Sequence, residues 1–163
     1  MVNNQIINLN FKIMKKYLVM LMFALMNILG VVGANAQSQT TLTGKLTNVT
    51  MNGKTYADVE NVSFLLVDNG DGTGILMSLS DIGPIGKMPG AISVNMDVAI
   101  ENGELSVLNA NKTAGTLNLK IGGSIDIYAS SLSGNAKKFT LDTYALKVLG
   151  FSAFYGSVTF VAE

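Results

Sequence analysis

Alternating apolar and polar positions predict β-strands over most of the chain beyond residue 37. The clearest segment is a ten-residue alternation of apolar and mostly polar positions between residues 92 and 101. Its apolar members are Ile92, Val94, Met96, Val98 and Ile100. A period of two places all five side chains on one face of a strand. We predict that this face points into the protein, where it would line any ligand cavity.

Shorter segments show the same kind of pattern. They are Thr40–Thr50, Val62–Val67, Ile75–Leu79, Thr116–Ile121, Ile125–Ile127 and Ser157–Val161. Leu141–Leu149 also fits a helix, but the aromatic and β-branched residues around it favour a strand. The chain therefore contains eight or nine predicted strands.

Turn-forming pairs separate these strands at short intervals. They are Asn52-Gly53, Asn69-Gly70, Asp71-Gly72, Asn102-Gly103, Gly122-Gly123 and Gly134-Asn135. Such pairs tolerate positive φ and join neighbouring antiparallel strands, and the spacing leaves no room for crossover helices. We predict an all-β fold, an antiparallel up-and-down β-barrel of about eight strands. A two-sheet sandwich is the alternative.

The segment 81–90 differs from the rest because it holds both prolines of the chain and three glycines. This composition predicts a structured loop rather than a strand. Its apolar residues are Ile82, Ile85 and Met88. They would act either as a plug packed across a barrel end, which we favour because loop hydrophobes usually pack against cores, or as a lid over a ligand.

The N-terminal region has the organisation of a secretory signal peptide. Met14-Lys15-Lys16 precedes a 16-residue apolar run, and Ala34-Asn35-Ala36 follows it. The run is shorter than the roughly 20 apolar residues of a membrane span, so we favour cleavage after Ala36 over a retained anchor. Residues 1–13 resemble an extension upstream of a start at Met14, and a start at Met1 stays open. We predict export to the periplasm, the outer membrane or the exterior, and no transmembrane segment after cleavage.

The charge balance changes once residues 1–36 are set apart from the domain 37–163. The whole chain has 11 basic and 11 acidic residues, whereas residues 37–163 carry 8 lysines and 11 acidic residues, a net charge of −3. All basic residues are lysines, and the chain has no His, Cys or Trp. These features argue against nucleic-acid binding, disulfides, thiolate or imidazole catalysis and imidazole or thiolate metal sites. We predict no cofactor and no bound metal.

Two acidic features are candidates for a chemical role. Asp97 and Asp126 supply the pair of carboxylates that glycoside hydrolysis requires. Solvent exposure explains Asp97, which lies on the polar face of its strand, whereas Asp126 shares its face with Ser124 and Tyr128 and points either outward or into a polar pocket. The segment 68–73 resembles a calcium loop, yet alignment on Gly72 puts Val67 at the first ligand position, so we predict a hairpin turn. The sequence therefore predicts a protein without catalytic residues.

Several of these features occur together in one family. A first strand ending near Thr50, the Asp71-Gly72-Thr73 strand start, the Gly83-Pro84-Ile85-Gly86 loop and the Ile92–Ile100 strand follow an export signal. This arrangement resembles the calycin-like β-barrel domain of secreted proteins from Gram-negative gut bacteria. The resemblance implies a lipocalin-like barrel holding a small apolar ligand. The chain lacks the Trp and Arg of true lipocalin motifs, so no binding residue is carried over.

Two functional classes remain. The first is an exported, non-catalytic barrel that binds a small apolar ligand or lipid in its interior. The second is a structural or protein-interaction module of the cell envelope with a filled barrel and an unknown partner. The volume left inside the barrel separates the two.

Overall fold

The first and last strands of the domain pair with each other and close one antiparallel sheet into a barrel. The computed structural model describes residues 37–109, 112–146 and 153–163, and the predicted signal peptide lies outside them. The strands are β1 (Ser38–Met51), β2 (Lys54–Thr55), β3 (Val59–Asp68), β4 (Thr73–Ser78), β5 (Gly90–Glu101), β6 (Glu104–Val107), β7 (Thr113–Leu119), β8 (Ser124–Asn135), β9 (Lys138–Ala145) and β10 (Phe154–Ala162).

Strand order follows the chain around the barrel. β1 pairs with β3, each later strand pairs antiparallel with its neighbour, and β10 returns to β1. β6 and β7 share one place between β5 and β8, and the two-residue β2 only extends the end of β1. The barrel thus has eight strand positions. The predicted all-β, up-and-down, eight-stranded barrel is confirmed, and the continuous pairing excludes the two-sheet sandwich.

The fifth position of the barrel is interrupted. Val98 of β5 pairs with Val107, whereas Val94, four residues away, pairs with Gly115. Leu108, Asn109 and Lys112 belong to neither strand, and Lys112 Nζ lies 3.6 Å from Asp97 Oδ2. The sequence pattern did not predict this interruption.

Alternation along the strands fills the interior with apolar side chains. Val94, Met96 and Val98 are buried in the core, and Ile92 and Ile100 are partly buried against it. The predicted inward face of the Ile92–Ile100 strand is therefore the face that the barrel encloses.

In two segments the apolar pattern alone did not give the local structure, namely the inward residue of β4 and the end of β7. In β4 the inward side chain is Leu76, which is fully buried, whereas Ile75 and Met77 are only partly buried. The predicted strand through Ile121 ends at Leu119, because residues 120–123 form the turn of the β7–β8 hairpin and leave Ile121 86% exposed. Apolar character alone does not decide whether a residue continues a strand or lies in the turn at the tip of a hairpin.

The other ambiguous segment, Leu141–Leu149, is a strand as far as Ala145, and residues 147–149 lie outside the described part. The described residues include no helix with the length and apolarity needed to cross a membrane.

The predicted turns close the hairpins. Asn52 and Asn102 have φ angles of 48° and 53°, each followed by a glycine with positive φ, as two-residue hairpin turns require. The β8–β9 connection differs, because Gly134 and Asn135 still pair within the ladder and the turn is formed by Ala136 and Lys137, two positions later. There Asn135 Oδ1 accepts hydrogen bonds from the amides of Lys137 and Lys138 at 3.0 and 3.3 Å.

Candidate functional site

The barrel interior is almost completely filled. Among the described residues, the interior encloses a cavity of about 50 Å³, which is bordered by Ile92 and Val94 from the predicted inward face. Pockets for drug-sized ligands measure about 300–1,000 Å³. The interior therefore has no room for a lipid or a comparable ligand in this structure.

Loop 81–90 closes one end of the interior. Ile82, Ile85 and Met88 are all buried and belong to the main core. Two backbone hydrogen bonds of 2.7 and 2.8 Å join Ile82 to Ile92, and the Met88 amide donates to the Ile85 carbonyl at 3.1 Å. The loop is thus fixed to β5 and packs as a plug.

A larger pocket, with a volume of about 280 Å³, opens outside the plug at the same end of the barrel. We call it the mouth pocket. Its walls are buried or half-buried side chains, namely Met51, Tyr56, Met88, Leu117, Ile125, Ala145 and Phe154. Its rim consists of exposed residues, namely Asn52, Lys54, Lys87, Pro89 and Leu146.

The up-and-down topology brings these residues together. β1, β7 and β9 end at this end of the barrel, and β8 and β10 begin there, so their terminal side chains meet around the opening. The Tyr56 amide donates to the Val49 carbonyl at 2.8 Å, which holds the wall next to β2. The Lys120 amide donates to the Pro89 carbonyl at 3.0 Å and ties the plug loop to the β7–β8 hairpin.

The mouth pocket is positively charged at its rim. Lys54 and Lys87 are its charged lining residues among the described part of the chain, and neither forms an ion pair there. Nearby carboxylates line two surface depressions against Gly83 and Pro84, one of which shares Tyr56 with the mouth pocket. They are Asp58, Glu60 and Asp81. The mouth pocket therefore combines apolar walls with a cationic rim.

The predicted ligand-facing residues lie elsewhere, apart from Met88. The five apolar residues of β5 face the filled interior, and Ile82 and Ile85 belong to the plug. Sequence reasoning missed Met51, Tyr56, Ile125 and Phe154, which come from four separate segments. The available signal covered two of them, since Met51 directly follows a predicted strand and Ile125 begins one, whereas Tyr56 and Phe154 lie outside the predicted strands.

The structure does not bring Asp97 and Asp126 together. Asp97 lies on β5 beside Lys112, whereas Asp126 is exposed on β8, opposite Thr116 of β7. From the strand spacing and rise, their Cα atoms are roughly 16 Å apart. The two carboxyl groups of a glycoside hydrolase lie about 5–9.5 Å apart. The arrangement of this pair is unsuited to that reaction.

The segment 68–73 uses its carboxylates within a turn. Asp68 Oδ1 accepts a hydrogen bond from the Gly70 amide at 2.7 Å. Asp71 Oδ1 accepts hydrogen bonds from the Thr73 hydroxyl at 2.6 Å and the Thr73 amide at 3.0 Å, and these bonds lower the pKa of Asp71. This is a capped β3–β4 turn, as the sequence predicted in place of a calcium loop.

The fold and the site together define a small closed β-barrel with a filled interior and an open, apolar, cation-rimmed pocket at one end. Comparisons of the chain with protein-family models, curated proteins and solved structures gave no match.

Proposed function

We propose that this protein is an exported, non-catalytic β-barrel that binds a small, largely apolar ligand in the mouth pocket. The observation that carries the proposal is the apolar lining of this pocket, which has a volume of about 280 Å³ against about 50 Å³ in the interior. The depressions against Pro84 are larger, at about 370 and 440 Å³, but carboxylates line them. The proposed site thus lies at the end of the barrel rather than inside it. The leader-like residues 14–36 support export, and the calycin-like pattern supports ligand binding of this kind.

The wall chemistry favours an apolar ligand body. Met51, Met88 and Leu117 offer flexible or branched aliphatic surface, and Phe154 adds an aromatic ring. Burial of such surface contributes about 25 cal/mol per Å² removed from water. Methionine side chains also adapt to ligands of different shape. Binding would therefore depend mainly on the fit of a compact apolar group.

The rim favours an acidic group on the ligand. Lys54 and Lys87 are exposed and free of ion pairs within the described residues. An ammonium group attracts a carboxylate or phosphate without demanding the planar geometry that arginine imposes. The ligand class that fits both features is a small amphiphile with an apolar body and an anionic end.

The filled interior supports a second candidate, an envelope module that acts by contacting a protein partner. A barrel without an internal ligand has a solid core, as expected of a structural part. In this case the mouth pocket would be occupied by a side chain of the partner.

Native mass spectrometry of the protein recovered from the envelope of its host tests the proposal. We expect one small adduct per chain, and added anilinonaphthalene sulfonate, an anionic apolar dye, should compete for the site. Met51→Trp narrows the pocket and should abolish both forms of binding, whereas Leu108→Trp, directly after β6 and outside the pocket lining, should retain them. Empty protein that also fails to bind the dye, recovered with one fixed protein partner, would favour the second candidate.

A further inference from the structure

The mouth pocket and the larger of the two depressions against Pro84 share one residue, Tyr56. We call this depression, with a volume of about 440 Å³, the acidic depression, and residues 56–60 and 83–86 line it. The mouth pocket is lined in part by positions that precede the first of these segments and follow the second, namely 51, 52, 54 and 87–89. A step from the mouth pocket to the acidic depression thus runs forward along one segment and backward along the other. Two antiparallel segments therefore border one groove, and the two cavities are its halves.

The ring of Tyr56 contacts Gly86 at the point where the two halves meet. Gly86 is the last residue of the plug loop that lines the acidic depression, and Lys87 after it lines the mouth pocket. A Cβ atom at Gly86 would overlap the ring atoms Cδ1 and Cε1 of Tyr56, so the ring lies directly on this backbone. Gly86 has a φ of +57°, a conformation that glycine adopts without a steric penalty. The Tyr56 side chain therefore crosses the groove from one segment to the other.

Hydrogen bonds hold both sides of this contact. The Tyr56 amide donates to the Val49 carbonyl at 2.8 Å, and the half-buried side chain packs against the core. Across the groove, the Met88 amide donates to the Ile85 carbonyl at 3.1 Å and closes a turn that contains Gly86. The fold thus sets where the ring lies, and the mouth pocket ends at the ring.

The two halves of the groove differ in charge. The rim of the mouth pocket carries two lysines, whereas Asp58 and Glu60 line the acidic depression. Lys45 also attracts these carboxylates, but its ammonium group is paired with Glu163 at 3.1 Å. An anionic group is therefore favoured in the mouth pocket and disfavoured in the acidic depression, and the reverse holds for a cationic group.

We propose that Tyr56 determines which ligands the mouth pocket accepts, by closing it against the acidic depression. This inference rests on the proposed function, because it concerns the ligand of the same pocket. With the ring in place, the pocket offers about 280 Å³, below the range of about 300–1,000 Å³ found for drug-sized ligands. The ligand is then an amphiphile with a short apolar body, such as a medium-chain carboxylate, and a long-chain lipid is excluded. Without the ring, both halves form one groove that accepts a longer chain.

Calorimetric titration with octanoate and laurate tests this role, since the two differ only in chain length. The protein is prepared from cells that express the whole chain. In the wild type, laurate should bind no more tightly than octanoate, because its additional methylene groups meet the ring. In Tyr56→Ala, laurate should bind about tenfold more tightly than octanoate, because the added methylene groups become buried. Aminododecanoate, a laurate chain with an amine at its far end, should gain even more from this substitution, because its ammonium group then reaches Asp58 and Glu60.

Matched variants separate this role from a general loosening of the fold. Tyr56→Phe keeps the ring and should restore the wild-type ratio of laurate affinity to octanoate affinity. Tyr128→Ala removes a half-buried tyrosine that lines neither half of the groove, and it should keep that ratio too. Gly86→Ala displaces the ring without altering Tyr56, so it should raise the ratio, and it provides the test if Tyr56→Ala does not fold.

Two results would overturn the inference. One is the same ratio of laurate affinity to octanoate affinity in the wild type, Tyr56→Ala and Gly86→Ala, which would leave the proposed function intact. The other is absence of binding of all three ligands by the wild type and by both variants, which would overturn the proposed function as well.

Discussion

Phe64 of β3 and Phe160 of β10 meet edge to face, with 5.3 Å between ring centroids and 88° between ring planes. The two strands are not neighbours in the sheet, because β1 lies between them and pairs with both. Phe139 of β9 stacks on Phe160 at 5.0 Å and also contacts Phe64. The three rings therefore join the two sides of the closing strand from within the barrel.

Phe160→Ala should lower the free energy of unfolding by about 3–5 kcal/mol, because it removes a fully buried ring from this cluster. Urea denaturation followed by circular dichroism measures the change. Tyr155→Ala, on the same strand but on the outer face, is the control and should cost far less. Equal losses in the two variants would show that the cluster does not stabilise the closure.

Gly44→Ala should destabilise the pairing of β1 with β10. A Cβ atom at Gly44 would meet the backbone of Val161 and Ala162, so the two strands would have to separate. We expect a loss of about 1–3 kcal/mol or more, as for overpacked interiors. Hydrogen exchange should accelerate in the amides of β10.

Gly103→Ala is the matched control for this change. Its Cβ would lie in open space, and only its φ of +81° opposes a side chain, at a cost of about 1 kcal/mol. In the Gly103→Ala variant, amide hydrogen exchange should accelerate only near the β5–β6 turn. If Gly44→Ala left exchange in β10 unchanged, the close approach of the two strands would be refuted.

The pKa of Asp71 should depend on Thr73. The Thr73 hydroxyl and amide lower this pKa below the usual 3.8, so the favourable interaction is present above the ordinary pKa and is lost as pH falls through the lowered value. Thr73→Val removes the hydroxyl donor, and the pKa should rise part of the way back. Carboxyl carbon NMR during acid titration measures it.

The hydrogen bond from the amide of residue 73 to Asp71 Oδ1 persists in the Thr73→Val variant. We therefore expect the pKa of Asp71 to stay below its usual value of 3.8. The Gly70 amide, which donates to Asp68 Oδ1 in the same connection at 2.7 Å, serves as the internal reference, and its chemical shift should stay as in the wild type. An unchanged Asp71 pKa would contradict the hydrogen bond from the hydroxyl.

Lys54 and Lys87 should confer a preference for acidic ligands on the mouth pocket. Replacement of both by glutamine should weaken octanoate binding several-fold and leave octanol binding unchanged, since exposed charge pairs contribute about 0.2–1 kcal/mol each. Calorimetry at low and high salt measures this, and salt should reduce octanoate binding only in the wild type. Lys137 and Lys138, replaced likewise at the other end, provide the control. Equal binding of the two ligands by the wild type would refute the role of the rim.

Much of the fold was predictable because its signals are local. The alternation from Ile92 to Ile100 specifies a strand and its inward face, and Asn52-Gly53 and Asn102-Gly103 specify turns through their backbone preferences. The inward position of Leu76 was not predictable in this way. Ile75, Leu76 and Met77 are all apolar, and only the pairing of Leu76 with Leu66 and Met96 selects the buried one.

The mouth pocket could not be predicted from the sequence for a related reason. Tyr56, Leu117 and Phe154 become neighbours only when the barrel closes, and no periodicity connects segments so far apart in sequence. The volume of the barrel interior likewise depends on residues that are far apart in sequence. The alternation on β5 indicates which side chains point inward, but the plug formed by Ile82, Ile85 and Met88 determines how little space remains.

The return of β10 to β1 makes closure of the barrel depend on two strands that are far apart in sequence. The bond from Thr47 Oγ1 to the Thr159 carbonyl joins residues 112 positions apart, so the barrel closes through contacts of high contact order, which form slowly. β10 is synthesised after every other described strand. Until it arrives, β1 presents an unpaired strand edge to other chains. Substitutions that delay this last pairing should therefore reduce the yield of folded protein through aggregation, even where the finished barrel is as stable as before.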